Sequence, residues 1–385
     1  MTSDVYVHDL GDAVERIVRA RETPLPERLE RVRIRLRSLL HGVSGIQEDL
    51  PLIVYGEQPD PPLIKHVGKS LLAEVLRRKL EVRDVEAKPV HMALYRDIFG
   101  SNAAVFTNLG LLSARSAETL GRQTYAHAPT TGAYVVRMFD LLSGGLANVL
   151  LSGHLNLSGK ADLSLASLID LCKNRSIGEF NMAIRERLEE RLLPYKVNRT
   201  AFTELEETIV QDPELYEFVA EFAPLTAGDG ENTLYVTWRQ HDRVLGTDSG
   251  YRRNALLTSG DRVVVREAQG SKELFEGTLK DVRQHERYAG VSLNAASRAA
   301  MVYALTSGGA QITGGGSTYN EVVADAWIAK GLPAPILLFV ANEDFRSNNS
   351  RLLSSLLATD AVSKVLKRAK EPMRTDDPVF AELVR

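Results

Sequence analysis

Between Glu27 and His41, Leu29, Val32, Ile34, Leu36, Leu39 and Leu40 fall near helical spacing, with Arg28, Arg31, Arg33, Arg35 and Arg37 between them. The spacing predicts a helix over 26–41 with one packed face and one arginine-bearing face. A second helix is expected over 8–22, separated from it by Thr23-Pro24-Leu25-Pro26. Leu50 to Gly56 has the length and apolar character of a short buried strand. Pro61 and Pro62 then open a helix to Leu80, with Leu63, Val67, Leu71, Val75 and Leu76 on one stripe. Val82–Val90 and Asn102–Gly110 read as two more strands, the second leading into a polar helix start at Ser113–Thr119. Residues 50–122 therefore spell β-α-β-(α)-β-α, the order of an open parallel sheet.

Residues 125–222 change character. Leu163–Cys172, Ile177–Leu193 and Phe202–Phe222 read as helices, punctuated by Pro194 and Pro213. Thr226–Asn232 is the clearest linker. Beyond it the pattern alternates with period two, predicting strands at Thr233–Arg239, Arg262–Glu267, Leu274–Val282 and Tyr288–Leu293. Turns are expected at Gly246/Ser249-Gly250, Ser259-Gly260-Asp261 and Gln269-Gly270-Ser271, giving a small antiparallel barrel or curled sheet. A helix over Ala295–Leu305, a glycine run, an amphipathic segment Val322–Lys330 and a strand within Pro335–Val340 follow.

The expected fold class is α/β, mixed α+β overall. A Rossmann-like parallel sheet part is joined to a helical middle region and a small antiparallel β module. Its divisions are N-terminal helices (1–45), an α/β part (46–125), the helical middle (126–225), the β-rich module (232–294), and an α/β part with the glycine loop and a C-terminal helix (295–385).

Composition narrows the function classes. The 385 residues are 44% apolar and 25% charged, as in ordinary globular proteins. A net charge of −3 gives no global bias towards nucleic acid. The single cysteine, Cys172, excludes an intrachain disulfide and lies in an apolar helical run, as a structural thiol would. No signal peptide or membrane-length apolar run is evident, so a cytoplasmic location without membrane partners is expected. The eight histidines form no H-x-H or H-E-x-x-H pair, so no metal site is expected. No Walker lysine, G-x-S-x-G or post-strand G-x-G-x-x-G occurs, and no particular cofactor is indicated.

The richest chemistry lies at Gly314, Gly315, Gly316, Ser317 and Thr318. This glycine run stands between an apolar stretch and a helix, where backbone N–H groups approach an anion closely and the hydroxyls add donors. Glu321, one turn on, is placed to cap Ser317 or Thr318, or to act as the acid/base residue.

With Ala326, Ala329-Lys330-Gly331 and Ile336–Val340, this stretch resembles the second phosphate loop of sugar-isomerase domains, which carry Ser-x-Ser-Gly-x-Thr-x-Glu before a helix and a strand. The leading Ser-x-Ser is absent. Gly314–Glu321 is also similar to the Pro-Gly-Gly-x-Gly-Thr-x-x-Glu loop of nucleoside-monophosphate phosphoribohydrolases. There the glutamate is catalytic; here the leading Pro is missing and the Gly-Thr pair is out of register. Both are local similarities confined to this stretch.

Two other regions carry candidate contacts. Gly56 and Gly110 would end parallel strands, with Ser113, Arg115, Ser116 and Glu118 as first-turn anion ligands. In the β module, Arg252, Arg253, Arg262, Arg266 and Arg287 are interspersed with Trp238, Tyr251 and Tyr288, as on a nucleic-acid platform, although nearby acids largely balance the charge. The favoured function is binding, with turnover as an option, of a phosphorylated small molecule, a nucleotide or sugar phosphate, at the glycine loop. The alternative is a non-catalytic assembly protein, homo-oligomeric or nucleic-acid-associated, that uses the arginine helix and β module. Nucleic acid is the less favoured partner.

Overall fold

The computed structural model describes residues 6–7, 9–40, 50–61, 64–96, 103–120, 123–142, 164–225, 234–242, 247–259, 262–267, 272–314 and 319–340. A two-residue strand β1 (Tyr6–Val7) precedes helices α1 (Leu10–Glu22) and α2 (Glu27–Ser38). Asp9 caps α1, accepting from the Asp12 amide at 2.9 Å. Strand β2 (Leu52–Glu57), helix α3 (Ile64–Glu81) and strand β3 (Lys88–Ala93) form the first β-α-β unit. The expected third strand at Asn102–Gly110 is instead a helix, α4 (Ala103–Asn108), followed by α5 (Ala114–Leu120) and α6 (Gly132–Leu142). A short apolar run does not distinguish a buried strand from a buried helix, and here Phe106 packs into a helical cluster.

Helices α7 (Leu165–Cys172) and α8 (Ile177–Leu192) complete that cluster; Ser176 and Glu179 form a full capping box on α8. A short strand β4 (Arg199–Ala201) then returns to the sheet. The expected helix over 202–222 is broken at Asp212-Pro213 into α9 (Phe202–Gln211) and α10 (Pro213–Ala220). Asp212 caps the second helix, and proline cannot continue the first.

The β module contains β5 (Leu234–Asp242), β6 (Thr247–Ser259), β7 (Arg262–Arg266), β8 (Glu273–Gly277) and β9 (Tyr288–Leu293). Ser249-Gly250 lies within β6 rather than in a turn. The expected strand to Val282 stops at Gly277, where Thr278 and Asp281 form a capping box that starts α11 (Leu279–Gln284). Helix α12 (Ala295–Leu305), strand β10 (Ala310–Gly314), helix α13 (Tyr319–Ala329) and strand β11 (Leu337–Val340) follow.

The chain is therefore a mixed α/β protein, and its described residues form two sheets. One has six parallel strands in the order β1-β11-β10-β2-β3-β4; the other is antiparallel, in the order β8-β7-β6-β5-β9. Tyr6 of β1 pairs with Leu337 of β11.

Alternate residues of β2 feed opposite cores. Ile53 and Tyr55 pack with α1 and α3. Leu52 and Val54 join α2, α9, α10, α12 and α13, in a cluster that also takes in Leu234, Val236 and Trp238 of the antiparallel sheet. One continuous apolar cluster thus serves both sheets, and Trp327 anchors it. Its ring packs edge-on to Phe218 and Tyr303, while Nε1 donates to the Pro333 carbonyl at 2.8 Å.

Edge strand β9 is sealed by α9. The Glu206 carboxylate accepts from the Leu293 amide at 3.0 Å, and Glu207 accepts from the Val291 amide at 3.1 Å. Strand amides that would otherwise face outwards are thereby satisfied.

Candidate functional site

Strands β2 and β10 lie side by side, and their connections leave in opposite directions. From β2 the chain passes through α3, on one face, to β3; from β10 it passes through α13, on the other face, to β11. This is a topological switch point, the position at which open α/β sheets tend to bind ligands. Gly314 ends β10 at that edge, paired with Val340. Gly315, Gly316, Ser317 and Thr318 lie outside the described residues.

On the far side of the loop the first turn of α13 is tied back to the sheet. Asn320 is buried; its Nδ2 donates to Thr313 Oγ1 at 2.9 Å, and its carbonyl accepts from the Tyr303 hydroxyl at 2.9 Å. Its Oδ1 has no hydrogen-bond partner. Glu321 is exposed in the same turn. Its charge adds to burial in raising the Tyr6 phenol above the ordinary range.

Several of the other expected ligand residues are otherwise engaged. Past Gly56, the Pro59 carbonyl accepts from Asn181 at 3.0 Å and Asp60 accepts from the Tyr125 hydroxyl. Gly110 follows a helix rather than a strand, and its carbonyl accepts from Arg137 at 3.1 Å. Ser113 accepts from the Ser116 amide at 3.1 Å, which makes it the N-cap of α5.

Many arginines of the basic surfaces are also paired internally. Arg28 pairs with Glu221, Arg31 with Glu27 and Glu214, Arg33 with Glu30, and Arg35 with Asp212 and Glu214. Arg37 is buried and donates to the carbonyls of Leu305 and Leu50. In the β module Arg262 pairs with Glu276 and Arg266 with Glu273. Trp238 is buried in the core, the Tyr288 hydroxyl bonds Glu207 at 2.8 Å, and Tyr251 stacks on His127 at 4.2 Å.

That stack lies between the segment preceding α6 and strand β6. Thr124 Oγ1 and His127 Nδ1 are hydrogen-bonded at 2.7 Å. Burial first, and then the Arg96 charge, lower the imidazole to about 4, against a weaker opposing effect of Glu179. As pH falls, the unfolded chain therefore takes up this proton before the folded chain does. The resulting stability is complete above about pH 7 and drains away as pH falls from about 6.5 towards 4. Allowing for partial exposure, the stability difference between wild type and His127→Gln should shrink by about 2 kcal/mol between pH 7 and pH 4.5. Urea unfolding at each pH measures it; parallel pH profiles would refute the assignment.

Among the described residues no group of three or more His, Cys, Asp or Glu side chains is placed to hold a metal ion, and no helix is long and apolar enough to cross a membrane. A cavity of about 100 Å³ lies at the opposite edge of the sheet, under Tyr303, Thr306, Gly309 and Ile336 at the amino ends of β10 and β11. It is small and apart from the switch point. No protein family matches the chain, and no curated protein matches its sequence.

Sequence pattern located the switch-point loop but not a second constellation. Arg96, Glu207, Thr237, Gly290 and Ser292 meet where the two sheets adjoin, and their separation along the chain leaves no local motif.

Proposed function

We propose that the protein binds a phosphorylated small molecule, a nucleotide or sugar phosphate, at the switch point between the carboxyl ends of β2 and β10. The observation that carries this reading is the switch point itself, with its glycine run leading into the amino end of α13. Backbone N–H groups and the partial positive charge at such a helix start favour an anion there. The Asn320 bridge to Thr313 fixes the start of the helix against the end of the strand. If the ligand is turned over, Glu321 is the acid/base residue, one turn into the helix and open to solvent.

A thermal-shift screen with nucleotides and sugar phosphates tests the proposal. A ligand at one hundred times its Kd adds about 2.7 kcal/mol of stability. That shift should disappear in Gly315→Val, whose side chain would obstruct close approach of the backbone to the anion. A screen without hits, or a hit equally strong in the variant, would remove the basis for the reading.

A further inference from the structure

One face of the antiparallel sheet is polar and lies away from the shared core. On β5, Tyr235 and Thr237 alternate with the core residues Leu234, Val236 and Trp238. Thr237 pairs with Gly290 on one side and Arg253 on the other; Tyr235 pairs with Ser292 and Ala255. Strand alternation sets Thr237, Arg253, Gly290 and Ser292 on one face.

Arg96, just past the carboxyl end of β3, lays its guanidinium where a side chain at position 290 would stand. Gly290 has φ +135°, and a Cβ there would overlap the Arg96 Cζ, Nε and Nη2 atoms. Nη1 makes the anchoring bonds, to Glu207 at 2.7 Å and to the Val291 carbonyl at 2.6 Å. The Nε–Nη2 edge, the fork that grips oxyanions through parallel donors, makes no hydrogen bond among the described residues.

Beside this fork, Thr237 Oγ1 and Ser292 Oγ are fully buried and without hydrogen-bond partners. Buried hydroxyls are seldom left unsatisfied, and two on one sheet face call for a ligand. Arg253, opposite Thr237, holds its guanidinium 3.7 Å from the centroid of the Tyr235 ring.

We propose that this face is a second oxyanion site that takes a phosphoryl group. The Arg96 fork and Arg253 supply the charge, and Thr237 and Ser292 supply the hydroxyl donors. Glu207 holds Arg96 in place and also accepts from the Tyr288 hydroxyl and the Val291 amide, so it is occupied in positioning. The inference goes beyond the switch-point reading and shares no residue with the glycine loop. Arg96 nevertheless leaves the same edge of the parallel sheet as β10.

The test uses inorganic phosphate and the full chain carrying Gly315→Val, which removes any contribution of the loop. Phosphate should raise the melting temperature saturably, and chloride at matched ionic strength should not. Adding Thr237→Val and Ser292→Ala should weaken the apparent phosphate affinity at least tenfold. Without phosphate those variants should melt no lower than their parent, because each removes an unsatisfied buried hydroxyl. Arg253→Met should weaken phosphate affinity in the same way. No saturable shift in the Gly315→Val protein, or an unchanged affinity in the hydroxyl variants, would overturn the proposal. Either outcome leaves a ligand that binds the wild type through its glycine loop unaffected.

Discussion

Glu189→Ala should cost about 3–5 kcal/mol of folding stability, the range for removing one member of a buried ion cluster. Glu189 is 2% exposed, and its carboxylate is shared among three elements. It accepts from Arg185 Nε at 2.9 Å and from Ser70 Oγ at 3.0 Å, and it pairs with the Arg199 guanidinium. Ser70 in turn accepts from the Tyr55 hydroxyl at 3.1 Å. Burial, reinforced by the Glu189 charge, keeps that phenol well above its ordinary range and therefore neutral. Removing the carboxylate strands Arg185, itself 1% exposed, without its hydrogen-bonded counter-charge between the helical cluster and the sheet. Urea denaturation reads the loss directly. Glu190→Ala, one residue on and exposed, should stay within about 0.5 kcal/mol of wild type. A loss below about 1 kcal/mol for Glu189→Ala would show that the cluster is not a structural tie.

Gly309→Ala is the second large effect, for a steric reason. A Cβ at position 309 would overlap the Leu52 carbonyl oxygen and lie 2.7 Å from the Leu52 nitrogen. Both obstacles are backbone, at the start of a central strand, so no rotamer change relieves them. The cost should reach about 3 kcal/mol, the upper part of the overpacking range. Gly308→Ala is the comparison: its φ of +80° imposes strain, but nothing lies within 4 Å of the added atom. That change should cost only about 1–2 kcal/mol. Thermal or urea unfolding of the pair separates collision from backbone strain, and equal losses would argue against the close approach of Gly309 to β2.

The elements with long, regular patterns were legible in the sequence. The stripe of α3 carries a single period over eighteen residues, and α12 is an eleven-residue, largely apolar run buried on every side. Short elements were not. Residues 103–108 are apolar for only part of a strand's length, and tertiary packing made them helical. Strand β4 has three residues and gains its identity from pairing with β3. Strand β6 was hidden by Ser249-Gly250, which resembles a turn until its neighbours β5 and β7 are in place. The Thr278–Asp281 cap was visible in principle as a threonine with an acid three residues later, but strand alternation obscured it.

The same distinction governs the sites. A glycine run before a helix is local, so sequence alone pointed to it; the sheet order adds that it follows the strand beside a switch point. The Arg96–Thr237–Ser292 face is assembled from positions far apart in the chain. Only strand pairing and one close guanidinium–glycine approach bring its members together.

The pairing of β1 with β11 has a consequence for biosynthesis. Tyr6 leaves the ribosome about 330 residues before Leu337. At roughly 5–20 residues per second that delay is on the order of tens of seconds. Throughout it the first strand has no partner on its β11 side, and Val7 and Leu10 lack the Leu338 flank of their core. The nascent chain must therefore hold Val7 and Leu10 out of wrong pairings until β11 has been made.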